Sequence, residues 1–388
     1  MKYFLSLALI SCAIGSVSAQ KINVKKQFAF AESQTNLMLE EIKEADARKG
    51  QVMPRTLEDG KLKLVVSKDW TSGFFPGELW YLYEYTRDAK WLDLARKFTG
   101  KLQKEQFNTG THDLGFIMFC SYGNGLRLTG DQAYKDIVIQ SSKSLSKRFS
   151  PSAGVIRSWD HNRDKWLYPV IIDNMMNLEM LFAATKLTGD SSFYKIAVTH
   201  ADNTLKNHFR PDYSTYHVID YHEADGTVRK KNTHQGYNDE SAWARGQAWA
   251  LYGYTLCFRE TKNAVYLNQA EKVADFILSQ LPKDMVPYWD YNDPGIPGVS
   301  RDASAAAIAA SALFELSLYS KNAKGYKKAA RKMLKSLSAK YASEPGTNRG
   351  FILDHSTGHK PKNSEVDVPI NYADYYYLEA LLRYKNMK

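Results

Sequence analysis

The chain has 388 residues, 44% hydrophobic and 24% charged, which is the composition of a folded globular protein with ample core. This excludes a disordered chain, a collagen-like repeat and, with 3 Cys, a disulfide framework. Aromatic residues reach 13% and the formal net charge is +10, a balance that suits nucleic acid and acidic sugars alike.

Met1-Lys2, the apolar run from Tyr3 to Ile14 and the small residues Val17-Ser18-Ala19 read as a signal peptide over 1–19, leaving 20–388 as one domain. Leu9-Ile10-Ser11-Cys12 offers an alternative, a lipoprotein signal that lipidates Cys12. The apolar run is short for a bilayer, and no later stretch is long enough, so no membrane span is expected. Export to the periplasm is the expected location. Cys120 and Cys257 lie in apolar helical patterns and read as buried thiols, because zinc ligands come in close pairs.

The rest of the chain has helical periodicity and a weak strand signal. Helices are expected over 25–46, 74–87, 90–104, 113–128, 131–149, 173–187, 191–208, 240–260, 263–281, 301–320, 324–341 and 370–386. Five junctions share one layout, an apolar helix, a polar turn and an aromatic residue opening an amphipathic helix, as in Leu128-Thr129-Gly130-Asp131 before Tyr134. The second, fourth and every later even helix is the more apolar of its pair, with Ala at 303, 305, 306, 307, 309, 310 and 312 as the extreme. Six apolar helices alternating with six amphipathic ones predict an all-α (α/α)6 barrel of six helical hairpins. An open helical solenoid is the alternative.

In such a barrel the loops before the inner helices share one end. They cover 67–70, 111–113, 158–173, 217–239, 288–302 and 355–371, and they concentrate Trp, Asp and His. Aromatic faces beside carboxylates describe a carbohydrate site, with Trp70, Trp159, Trp243, Trp249 and Trp289 as candidate platforms or, equally, core residues. Asp113 and Asp173 each open an inner helix, where a carboxylate commonly caps backbone N–H groups. Asp173 follows the apolar run Val170-Ile171-Ile172, so poor solvation and a neighbouring Asp113 both favour a protonated, proton-donating Asp173. Arg245 shares a helix face with Trp249 and reads either as a receptor for a substrate carboxylate or as an ion pair with Glu240 or another acid. His217 is a plain loop histidine or a catalytic one.

Asp69-Trp70-Thr71-Ser72-Gly73-Phe74-Phe75-Pro76-Gly77-Glu78-Leu79-Trp80 resembles the signature of the unsaturated glucuronyl hydrolases, glycoside hydrolase family 88. His112-Asp113-Leu114-Gly115-Phe116, Asp173-Asn174-Met175-Met176-Asn177, Ser241 through Trp249 and Arg301-Asp302-Ala303-Ser304-Ala305 are similar to that family's segments in the same order. The resemblance implies an (α/α)6 barrel, no metal and no cofactor. It also implies release of a 4,5-unsaturated uronic acid from the non-reducing end of oligosaccharides that lyases make from chondroitin, hyaluronan or heparin. Family members hydrate the C4=C5 vinyl ether instead of attacking the anomeric carbon. Carried over, Asp173 is general acid and base and Asp113 its supporting carboxylate. His217, Gln235, Trp243, Arg245 and Trp249 line the uronate subsite, His112 is a further substrate-binding residue, and Trp70 and Trp159 stack on sugar rings. Ser356, His359 and Lys360 are candidate contacts to the second sugar, with His359 standing where a small hydroxyl residue is expected.

The rival readings are an unsaturated rhamnogalacturonyl hydrolase acting on pectin fragments and a non-catalytic secreted glycan-binding protein. A binding protein needs the tryptophans but no desolvated acid. Nucleic acid is disfavoured as a partner by the signal peptide and by the lack of a run of five basic residues. The expected state is a monomer or weak dimer.

Overall fold

A computed structural model describes residues 21–45 and 50–387, so the segment expected to be a signal peptide, with Cys12, lies outside the described residues. Twelve α-helices occur among those described: α1 Val24–Glu44, α2 Phe74–Thr86, α3 Ala89–Gly100, α4 Asn124–Thr129, α5 Gln132–Ser146, α6 Leu178–Thr188, α7 Ser191–His208, α8 Ala244–Thr261, α9 Ala264–Gln280, α10 Ala303–Leu316, α11 Ala323–Ser336 and α12 Asn371–Asn386. The junctions follow helix-end chemistry. Arg87, Gly130, Gly189 and Lys262 end helices in the left-handed conformation, and Asp88, Asp131, Asp190 and Asn263 then accept a backbone N–H two residues on.

The even helices form the inner wall. α10 packs between α8 and α12, and α12 packs back on α2, so the ring closes. The fold is the (α/α)6 barrel, not the open solenoid. Every residue of α10 is buried, and its alanines let both neighbours approach closely. Ala306→Leu should overpack this wall and cost about 1–3 kcal/mol of stability, read as a lower urea midpoint at unchanged slope.

Two inner helices start irregularly. Gly115–Gly123 is π-helical before α4, and Ile172–Asn177 is a 3-10 turn before α6. They cross so closely that a Cβ on Gly115 would lie 2.6 Å from the Asn177 Cα, and the Asn177 side-chain oxygen accepts the Phe116 N–H at 3.1 Å. Asp113 and Asp173 sit beside this crossing. The helices expected over 240–260 and 301–320 start at Ala244 and Ala303 instead, the second because the Asp302 carboxylate caps Ser304 and Ala305.

The sequence reading placed no strands, yet nine short ones occur among the described residues: β1 Gln51–Glu58, β2 Lys61–Val66, β3 Phe149–Ser150, β4 Val155–Ile156, β5 Pro169–Ile171, β6 Val218–Tyr221, β7 Val228–Asn232, β8 Ser356–His359 and β9 Ser364–Val368. They pair antiparallel as β1-β2, β3-β4, β5-β6-β7 and β8-β9. All lie in segments preceding inner helices, so they stiffen the end of the barrel where the inner helices begin. No helix of the described residues is long and apolar enough to cross a membrane. Cys120 and Cys257 are both buried, as their patterns predict.

Candidate active site

The β5-β6-β7 sheet assembles the first part of the site. β5 runs directly into the turn that carries Asp173. β6 begins one residue after His217, whose carbonyl accepts the Ile172 N–H at 3.1 Å. β7 ends just before the segment holding His234 and Gln235. These two backbone N–H groups donate to His217 Nδ1 at 3.2 and 3.1 Å. A nitrogen that accepts cannot carry the proton, so the neutral ring is protonated at Nε2. That nitrogen lies 3.7 Å from Asp173 Oδ2. Burial holds His217 well below the usual histidine range, and neighbouring His234 and Arg245 push the same way.

Asp173 is 7% exposed, and its Oδ2 has no hydrogen-bond partner among the described residues. Burial pushes its pKa up to about 7, the Arg245 charge pulls it down, and the Asp113 charge raises it. It therefore exists as acid and as carboxylate near neutral pH. The buried Trp249 indole N–H lies beside it and pulls the Asp173 pKa down. Neither Asp173 nor Asp113 caps its helix. The Asp113 carboxylate accepts the Thr111 hydroxyl at 2.9 Å and lies 3.3 Å from His112 Nε2. Asp113→Asn removes the like charge, so the Asp173 pKa should fall and the alkaline limb of a pH–rate profile should move to lower pH; an unmoved limb would show that the two carboxylates are not coupled.

Arg245 takes the ion-pair reading, with another acid in place of Glu240. It is 1% exposed, and its ion pair is with Asp302, at 2.8 Å, not with Glu240, whose side chain is 77% exposed and 3.8 Å from Arg210. Its Nη1 also donates to the Thr357 carbonyl and its Nη2 to the Gly358 carbonyl, at 2.6 Å for the latter. Nε is buried and unpartnered. The guanidinium thus fastens α8 to α10 and to the β8-β9 hairpin, and it lies 4.4 Å from the Trp243 ring and 5.3 Å from the Tyr372 ring.

The tryptophans divide. Trp70 and Trp159 are half-buried and present ring surface. Trp243 and Trp249 are buried walls: Trp243 packs 4.5 Å from the His217 ring and Trp249 5.1 Å from Phe116. Trp289 is a core residue whose indole donates to Asp293 at 2.6 Å. A cavity of about 300 Å³ opens at this end, lined among others by Trp70, Gln235, Arg245, His359, Lys362 and Tyr372. Gln235 is held by its amide on the Gly358 carbonyl at 3.0 Å. His359 lines the cavity with both ring nitrogens unpartnered. Ser356 is fully buried and Lys360 leans toward Trp289, so Lys362 and Ser364 take the places expected of them on the cavity wall.

Arg55, Tyr372 and His234, not expected from the sequence, also line the cavity. Arg55 bonds Glu365 and Asp69, tying β1 to β9. His234 stands between Trp159, at 5.6 Å, and His359, at 4.8 Å. The signal for His234 was its place beside Gln235 in the longest insertion. A second cavity of about 310 Å³ lies at the opposite end of the barrel, but its Glu179, Glu379, Arg259 and Arg383 are already paired with one another or with neighbours.

The profile of Glycosyl Hydrolase Family 88 matches residues 45–387. An unsaturated glucuronyl hydrolase of Formosa agariphila is 53% identical over 327 residues, 83% of this chain and 82% of that protein. An unsaturated chondroitin disaccharide hydrolase of Streptococcus pneumoniae is 34% identical over 84% of each chain. The crystal structure of an unsaturated glucuronyl hydrolase specific for heparin superposes with a TM-score of 0.89 at 46% identity, covering 94% of this chain and 97% of that one. That of the Bacillus sp. GL1 unsaturated glucuronyl hydrolase gives 0.85 at 29% identity, covering 93% and 96%. With the barrel closed and the buried carboxylate in place, the chain belongs to glycoside hydrolase family 88.

Proposed function

We propose that this glycoside hydrolase removes the 4,5-unsaturated uronic acid from the non-reducing end of lyase-generated glycosaminoglycan oligosaccharides. The observation that carries this reading is Asp173, a buried carboxyl near its midpoint at neutral pH, with a free oxygen facing a neutral His217 N–H. The names of the relatives, which cover both chondroitin and heparin fragments, support the substrate class.

In this reading Asp173 gives its proton to C4. Positive charge develops at C5 and the ring oxygen, and the Asp113 carboxylate stabilises it electrostatically. Water then adds to C5 while the Asp173 carboxylate takes its proton, which restores the acid. The C5 hemiketal opens by cleavage of its bond to the ring oxygen. The hemiacetal left at C1 expels the second sugar, so one water is consumed in total. The His217 Nε2–H lies 3.7 Å from Asp173 Oδ2, beyond hydrogen-bond reach, and favours its anionic form electrostatically. Arg245 meets the uronate carboxylate through its two remaining N–H groups, on Nε and Nη2, since the other three already donate to Asp302 and to the hairpin carbonyls. Trp70 and Trp159 supply the stacking faces.

Loss of absorbance from the conjugated double bond of an unsaturated chondroitin or heparin disaccharide tests this directly. No loss on either sinks the reading. We further propose export to the periplasm, supported by the leader-like residues 1–19.

A further inference from the structure

Beside the cavity that Gln235 and His359 line lies an open depression of about 630 Å³ lined among others by Lys165, Thr233, His234, Tyr237 and Pro361. His234 borders both spaces, so the two adjoin each other. Tyr237 is 45% exposed, and its side chain has no hydrogen bond or ring contact among the described residues. Its backbone is nevertheless fixed. The Tyr237 N–H donates to Asp290 at 2.9 Å, Gly236 N–H to the Thr233 hydroxyl at 2.8 Å and Asn238 N–H to the Ser241 hydroxyl at 3.1 Å. Ser241 itself donates to the fully buried Asp290 at 2.7 Å. An exposed aromatic on a strapped loop contributes nothing to the core and is preorganised to receive a ring face. Across the depression the Lys165 ammonium sits 4.3 Å from the ring of buried Trp166. Asp239, whose carboxylate accepts the Thr233 N–H at 2.9 Å, and the exposed Glu240, 3.8 Å from Arg210, line the same depression.

We propose that Tyr237 and Lys165 form a third-sugar platform, which makes the enzyme prefer unsaturated oligosaccharides of three or more sugars over disaccharides. This deepens the function proposed above and rests on it. In a polymer that alternates a uronic acid with another sugar, the third ring is again a uronate. Its C–H face stacks on Tyr237 and its carboxylate meets Lys165.

The test compares kcat/KM for the unsaturated disaccharide and tetrasaccharide of one chondroitin digest. Wild type should favour the tetrasaccharide by about three- to tenfold, the range one aromatic stacking contact supports. Tyr237→Ala should erase that preference and Tyr237→Phe should keep it, with disaccharide turnover unchanged in both. A tetrasaccharide no better than the disaccharide overturns the platform, as does a Tyr237→Ala effect equal on both substrates. If neither substrate loses its double bond, the proposed reaction fails. Calorimetric titration of the tetrasaccharide into wild type and Tyr237→Ala then still decides the platform, and equal affinities overturn it.

Discussion

Asp173→Asn should lower kcat by about 10²–10⁴-fold, the range a positioned general acid contributes, while the protein folds and becomes more stable at alkaline pH. The two effects have one cause. Burial raises the Asp173 pKa to about 7 in the folded chain, whereas an unfolded Asp titrates near about 3.9. Between these values the native state binds the proton more tightly than the unfolded state, so stability falls as pH rises from about 4 through about 7. Above that the native chain carries a buried charge that Arg245 compensates only in part. Asn has no such proton to lose. The variant should therefore match wild type near pH 4 and exceed it by about 2–4 kcal/mol at pH 8. Urea melts at the two pH values check this. Equal stability at both would mean that Asp173 is solvated and its acid role unsupported.

Arg245→Ala should destabilise the chain by about 3–5 kcal/mol, the cost of stranding one partner of a buried ion pair. Asp302 is fully buried, and the carbonyls of Thr357 and Gly358 would lose their donor as well. A residue that only received the substrate would raise KM and leave the melt unchanged. The control is Arg245→Ala with Asp302→Asn. Asn keeps a side-chain oxygen to cap Ser304 and Ala305 but removes the orphaned charge. Stability should return in part while KM stays high. If the double variant is no more stable than Arg245→Ala, charge burial is not the reason for the loss.

The helices were legible because their signals are local. Apolar spacing marked the inner wall, and Gly-Asp pairs such as Gly130-Asp131 marked the junctions where one residue turns left-handed and the next caps. The β1-β2 hairpin carried a local signal too. Asp59-Gly60 both adopt positive φ, the preferred two-residue hairpin turn, within a chain whose dominant periodicity is helical. Asp173 was readable from the apolar run before it, since burial of that run buries the carboxyl. Arg245 was not. Glu240 is near it in sequence, whereas Asp302 is brought to it only when α8 and α10 pack side by side. Ring closure likewise decided which tryptophans are walls: Trp243, Trp249 and Trp289 are sealed inside, whereas Trp70 and Trp159 stay half-buried. The proton on His217 Nε2 depends on two backbone N–H groups some 17 and 18 residues downstream, and no residue pattern encodes it.

The central claim is that Asp173 protonates C4 of the unsaturated sugar. Turnover of an unsaturated disaccharide in D₂O, followed by NMR of the first product formed, tests it most directly. The account predicts one deuteron at C4, delivered to a single face, appearing with the loss of the double bond and before release of the second sugar. A released sugar that still holds its C4=C5 bond, or deuterium spread over both faces of C4, would contradict it.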